Sequence, residues 1–276
     1  MRAPLGAHAV VARTFESLAP VAVSVSPTAP PSAPVACARE YVLATRRGDP
    51  TEPFRTALAA LDESRLAALA RGPATAFWLN VYNAAVQDDL QRNPDIFEDQ
   101  RRLFGERRLT VAGHDLSLDD VEHGILRGSK SKYGLGYLPR VRFDDFQRRH
   151  RLSDADPRIH FALNCAAASC PPIAAYTADG VDDELDRSTA SFLASDCEYD
   201  DRGRLAVSRL FLYHRGDFGG RSGIYAFLRE HGVLENGERP RVTYQPYDWS
   251  RKLGYFADSE SGSDAAETAH AEDPEP

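Results

Sequence analysis

The sequence predicts an α+β fold: a helix-rich single domain with a small, mostly antiparallel sheet and a central buried helix. Three observations carry that expectation. Residues 74–93, with AFWLNVYNAAVQDDL inside, are apolar on nearly every side, as a helix enclosed by its own domain must be. Helical patterns recur at about 37–46, 54–71 and 179–196. Short strand-like runs bounded by turn residues fall at 107–115 and 197–208.

The 276 residues, 42% hydrophobic and 27% charged, suit a domain whose core needs no staples. The formal net charge of -8 is unevenly placed. Residues 257–276 hold seven acids (Asp258, Glu260, Asp264, Glu267, Glu272, Asp273, Glu275) and no Lys or Arg. Setting that segment aside leaves 34 acidic against 33 basic residues, so net charge marks no nucleic-acid footprint. Residues 257–276 read as a disordered acidic tail. Residues 1–36 read as a disordered Pro-rich segment, because 19–36 carry five prolines and no charge. The globular domain is expected over 37–256. Four cysteines are too sparse for a disulfide scaffold. No apolar run reaches the roughly 20 residues of a membrane span, and Arg13 and Glu16 interrupt the N-terminal apolar stretch. The expectation is a cytoplasmic protein. Val35-Ala36-Cys37 resembles a lipoprotein cleavage box only weakly, since Pro34 stands where a leucine is wanted.

Taken in order, Phe54, Leu58, Leu61, Leu66 and Leu69 share one face of the second helix, which Gly72-Pro73 ends. In the central helix Asn80, Asn83 and Gln87 form a single polar stripe. Buried amides must be hydrogen-bonded, so the stripe either holds neighbouring loop backbone or lines a site. Asn93-Pro94 stops the helix. A hairpin turns at Ala112-Gly113. Ser117 and Asp120 then form a capping pair that starts a helix with Leu118, Val121 and Ile125 as its apolar stripe. Glu122 falls inside that stripe, with His123 beside it. A core-facing carboxylate needs a partner or a shifted pKa, which leaves an ion pair with a buried Arg or a functional Glu-His pair. Residues 128–140, GSKSKYGLGYLPR, lack the preceding strand and following helix of a dinucleotide loop and read as a surface loop or lid. Residues 141–151 read as solvated.

The stretch densest in reactive groups is Asp156 to Pro172, DPRIHFALNCAAASCPP. Ile159, Phe161 and Leu163 alternate with His160, Ala162 and Asn164, which predicts a strand of about seven residues with His160 and Asn164 on one face. Cys165 is then either a small buried hydrophobe or a reactive thiol at a strand-to-turn junction, near unpaired backbone N–H groups. Cys170, before Pro-Pro, reads as structural or as lining the same site. Val181, Leu185, Ser188 and Phe192 mark one side of the 179–196 helix. A hairpin over 197–208, a turn at 210–214, a helix over 223–231 and a closing strand in RVTYQPYDW complete the chain.

Three functions compete. In the first, a thiol enzyme acts on acyl or amide bonds of a small or protein substrate, without a cofactor. Cys165 is the nucleophile, His123 or His160 the base, and Glu122 or Asn164 orients the base, with Asn80, Asn83 and Cys170 lining the site. His123 is preferred, because a remote helix can approach freely. In the second, the protein is a non-catalytic interaction domain. In the third, His123, His160, Cys165 and Cys170 hold zinc, or the thiols are redox-active.

Through FWLNVYNA, LSLDDVEHGILRG, DPRIHFALNCAAASCPPIAAYT and YQPYDW, in that order, the chain resembles the Domain of Unknown Function 547 family over about Tyr41 to Gly254. The resemblance implies no settled activity; members occur alone or joined to other modules, glutaredoxin-like ones among them. Family patterns have Gly after the first cysteine, where this chain has Ala166. In plant-type members the cysteine matching Cys165 persists while Ser often stands in place of Cys170, which implies that Cys165 matters more and that no Cys165–Cys170 disulfide is required.

Overall fold

The larger part of the fold is arranged around helix α4, Arg71–Arg92. The computed structural model describes residues 29–258. The expectations for the Pro-rich segment up to residue 28 and for the acidic tail from residue 259 lie outside those residues. Phe77, Leu79, Val81, Ala84, Val86 and Leu90 on α4 are fully buried, on every side of the helix. Pro73 sits inside its first turn, where the missing N–H costs nothing.

Helix α1, Pro34–Arg47, packs along α4 through Val35, Ala38, Tyr41 and Val42. It begins at Pro34, a preferred first helical residue, and carries Cys37 in the core. The helix expected over 54–71 is instead two, α2 (Glu52–Ala59) and α3 (Glu63–Ala67). The break has a tertiary cause. The carbonyls of Leu58 and Ala59 accept from Ala112 N and Gly113 N, both at 2.9 Å, so the hairpin tip takes the last acceptors of α2. The Asp62 side chain then caps Ser64 N and restarts the helix. A short 3-10 turn, Pro94–Glu98, and helix α5, Gln100–Gly105, lead to the hairpin of β1 (Leu109–Val111) and β2 (His114–Leu116). Ala112 and Gly113 both have positive φ, 50° and 75°, as a type I′ turn demands.

Ser117 N donates to Asp120 Oδ2 and Asp120 N to Ser117 Oγ, both at 3.1 Å, a reciprocal cap. The element it opens is a π-helix, Asp120–Leu126, rather than an α-helix. Arg127 N bonds to Glu122 O at 2.9 Å, closing the wide turn. Residues 141–151 are not simply solvated: α6, Asp145–His150, buries Phe146, Gln147 and His150. Where a strand was expected over residues 159–164, the chain forms a 3-10 helix, Pro157–Phe161, and then an irregular loop. Pro157 and the Asp156 cap, which accepts from Arg158 N, favour a helical start. Ile159, His160 and Phe161 are all buried, so there are no alternating inner and outer faces.

Helix α7, Val181–Asp196, leads to β3 (Glu198–Tyr199) and β4 (Leu205–Val207), which pair antiparallel. Helices α8 (Leu210–Tyr213) and α9 (Gly220–Glu230) follow, and β5 (Val242–Tyr244) adds parallel to β4. The described residues thus form an α+β fold with one two-stranded and one three-stranded sheet. The apolar interior has two parts. The larger surrounds α4; the smaller is an aromatic cluster of Phe161, Phe192, Phe211, Phe218 and Phe227. His160 and Phe161 carry the chain from one to the other.

Candidate functional site

The loop 162–172 is held from both sides. From α4, Asn83 donates to Ala162 O and accepts from Asn164 N, both at 2.9 Å. One turn away, Asn80 donates to Tyr176 O (2.8 Å) and accepts from Tyr176 N (2.9 Å). Asn164 pins the loop to itself, accepting from Ala166 N at 2.7 Å and donating to Pro171 O at 2.6 Å. Asn80, Asn83 and Asn164 therefore spend their amides on loop backbone. Ala166 adopts φ +65°, the left-handed conformation that glycine takes without strain. The C-terminal segment straps the loop from outside: Ala168 N donates to Ser250 O (2.8 Å) and Lys252 N to Ala166 O (2.7 Å).

This scaffold sets the sulfurs of Cys165 and Cys170 2.9 Å apart. Cys170 is buried and Cys165 half-buried. Cys170 Sγ also accepts from Cys165 N (3.2 Å) and lies 3.3 Å from the Tyr247 hydroxyl. Burial alone would raise the Cys170 pKa, but the donors from Cys165, Tyr247 and backbone N–H groups outweigh it and hold the thiol below its ordinary value. Cys165 moves the other way, raised first by its bond to Cys170 and then by burial. One proton is thus released easily from the pair and the second with difficulty.

A second cluster adjoins the first. Glu122 on the π-helix accepts from the Tyr82 hydroxyl at 3.3 Å and lies 3.4 Å from His123 Nδ1. Burial pushes the Glu122 carboxyl up to about 7. The charges of Glu122, Cys165 and Cys170 all act on the Tyr82 hydroxyl and raise its pKa further above the effect of burial. His123 Nδ1 lies 2.8 Å from Arg127 Nη1, and its Nε2 is 3.5 Å from Asp119. Arg127, itself buried, donates from Nε to Asp217 Oδ2 at 2.6 Å. His160 Nε2 meets the same oxygen at 3.0 Å, and its ring stacks on His214 with centroids 3.7 Å apart. Burial lowers the pKa of all three histidines, that of His160 against the pull of Asp217. Burial thus disfavours the charged form of each ring. Glu122, His160 and His214 each offer a possible metal-ligand atom, all within 4.8 Å of one another.

Of the pairings expected, Glu122 and His123 do meet, at 3.4 Å, while Cys165 and His123 do not. Cys165 meets Cys170 and Tyr247, and among the described residues neither sulfur is hydrogen-bonded to an imidazole. His123 meets Glu122, Arg127 and Asp119 instead of Cys165. Arg127, His214, Asp217 and Tyr247 were missed. Arg127 follows His123 at i+4, a helical spacing that could have drawn notice; Asp217 and His214 carry no such local mark. The Gly-rich loop closes over this side: a Cβ on Gly136 would stand 2.7 Å from Asp217 Oδ1, so only glycine allows the approach.

The fold and this pair of clusters define an α+β domain with a dithiol loop beside a buried imidazole–carboxylate network. Residues 66–193 match the family described as Protein of unknown function, DUF547. The matched stretch contains both cysteines, Glu122, His123, His160 and Asn164, but ends before His214, Asp217 and Tyr247. No curated protein and no solved structure matches the chain. No helix among the described residues is long and apolar enough to cross a membrane.

Proposed function

We propose that the protein is a thiol-dependent enzyme that hydrolyses or transfers an acyl or amide group, with Cys165 as the attacking sulfur and Cys170 as its proton acceptor. The observation that carries this reading is the set of donors around Cys170: the Cys165 thiol, the Cys165 backbone N–H and the Tyr247 hydroxyl. A cysteine that merely fills space meets hydrocarbon; one so surrounded is equipped to hold negative charge. Cys165 is the more exposed of the two and the one a substrate reaches first. When Cys165 attacks a carbonyl carbon, its proton passes across 2.9 Å to Cys170, the role first expected of His123. His123 and Glu122, paired at 3.4 Å, are left to orient the substrate or return the proton to the leaving group.

Incubation of the full chain with a chromogenic acyl ester, followed by intact-mass spectrometry, tests this. One acyl adduct on Cys165, absent in Cys165→Ala and formed with its pH profile moved upward in Cys170→Ser, is the expected result. An adduct that persists in Cys165→Ala removes the proposal. The sulfur spacing favours one second reading, dithiol–disulfide exchange, in which either single Ser variant abolishes turnover of a disulfide substrate and ester acylation never occurs.

A further inference from the structure

We infer that Glu122, His160 and His214 form a binding site for one divalent transition-metal ion of the zinc or iron(II) class. Their ligand atoms lie within 4.8 Å of one another; a tetrahedral zinc site needs edges of about 3.4 Å, given metal–ligand distances near 2.1 Å, so the His214 ring, now stacked on His160 with centroids 3.7 Å apart, must turn out of that stack until both rings point at one ion. The three residues come from three different elements: the π-helix, the 3-10 helix and the end of α8. Local sequence spacing did not bring them together.

Two polar groups here lack what buried groups require. His214 Nδ1 is buried without a hydrogen-bond partner among the described residues. Glu122, whose side chain is only 16% exposed, has no Lys or Arg within ion-pair distance among the described residues; its neighbours are a phenol and an imidazole. An unpaired buried carboxylate beside an unpaired buried imidazole nitrogen is costly unless a cation joins them. The remaining ligand is already oriented. His160 Nε2 is engaged by Asp217, which leaves Nδ1 as the free nitrogen, and Asp217 is itself fixed by Arg127 at 2.6 Å. A carboxylate behind a metal-binding histidine is the usual outer support of such sites. The Arg127 charge, which would otherwise repel a cation, is neutralised by that same pair.

Two imidazoles and one carboxylate select zinc or iron(II) over magnesium or calcium, which take oxygen ligands. Three protein ligands leave a coordination position open, the pattern of catalytic rather than structural sites. This set differs from the one first expected, since neither cysteine belongs to it, and the inference stands whether or not the sulfurs are reactive.

The test is metal analysis of the full chain, purified without a polyhistidine tag, then chelated and reloaded with zinc or cobalt(II). About one equivalent of metal per chain is expected in the wild type and in Cys165→Ala, with affinity reduced by roughly 10- to 100-fold in Asp217→Asn and binding lost in His214→Gln and Glu122→Gln. The cobalt(II) spectrum of the wild type answers without any variant: nitrogen and oxygen ligation gives ligand-field bands alone. Sulfur-to-cobalt charge transfer, metal retained in a folded His214→Gln protein, or failure of the wild type to take up more than about 0.1 equivalent overturns the assignment.

Discussion

Two sets of buried polar side chains differ in how completely they are satisfied. On the α4 side, Asn80, Asn83 and Asn164 each use both ends of the amide on backbone, two bonds apiece. On the π-helix side, Arg127 Nη2, Asp217 Oδ1 and His214 Nδ1 are buried without partners. The first set is finished as it stands. The second is built on the Arg127–Asp217 ion pair, is incomplete, and its side chains chiefly meet one another. Where a protein buries polar groups for architecture it closes their hydrogen bonds; where it leaves them open and shifts their pKa values, a ligand or a reaction is the better explanation.

That contrast can be broken at several points. The largest effect is expected from Asp217→Leu, which leaves the buried Arg127 uncompensated and strips His160 of its acceptor. The loss should be about 3–5 kcal/mol, measured by urea unfolding. Adding Arg127→Met should recover most of it, and a loss under about 1 kcal/mol would show the pair to be no more than a surface bridge.

Glu122→Gln comes next, and its effect depends on pH. The folded-state carboxyl sits at about 7, above its ordinary value, so between roughly pH 4.5 and 7 the folded chain keeps a proton that the unfolded chain loses. Metal-free wild-type protein therefore loses this contribution to stability as pH rises through that window. Gln has nothing to titrate, and it should gain on the wild type by on the order of 3 kcal/mol by pH 8. Parallel unfolding curves at pH 5 and pH 8 would contradict the burial argument.

Asn83→Ala is expected to cost about 2–3 kcal/mol, because it leaves Ala162 O and Asn164 N unpaired in the interior. Hydrogen exchange should place the opening in residues 162–172. An exchange pattern spread evenly over the chain would mean that the stripe is general packing rather than a loop clamp.

How much of this was legible in the sequence follows from what is local and what is not. Helix α4 announced itself because its apolar residues occupy every side, and the amide stripe because a buried Asn has few options. The reciprocal Ser117–Asp120 cap was readable from spacing alone. The break between α2 and α3 was not, since its cause is a hairpin tip some fifty residues away. The 159–164 region was misread because a short alternation of Ile, Phe and Leu looks the same whether its polar partners face solvent or are buried with it. Glu122, His123, His160, Asn164, Cys165 and Cys170 could be picked out as chemically able residues. The Glu122–His123 pair could be read too, but the partnerships with Asp217, His214 and Tyr247 could not, because these arrive from the last third of the chain.

The strap over the cysteine loop has a temporal meaning. Ser250 and Lys252 are among the last of the described residues, yet they bond to Ala168 and Ala166. During synthesis the two thiols emerge long before the segment that fastens them does. The nascent domain can bury α4 before residues 250–252 exist, but the cysteine loop is fastened only once they have emerged.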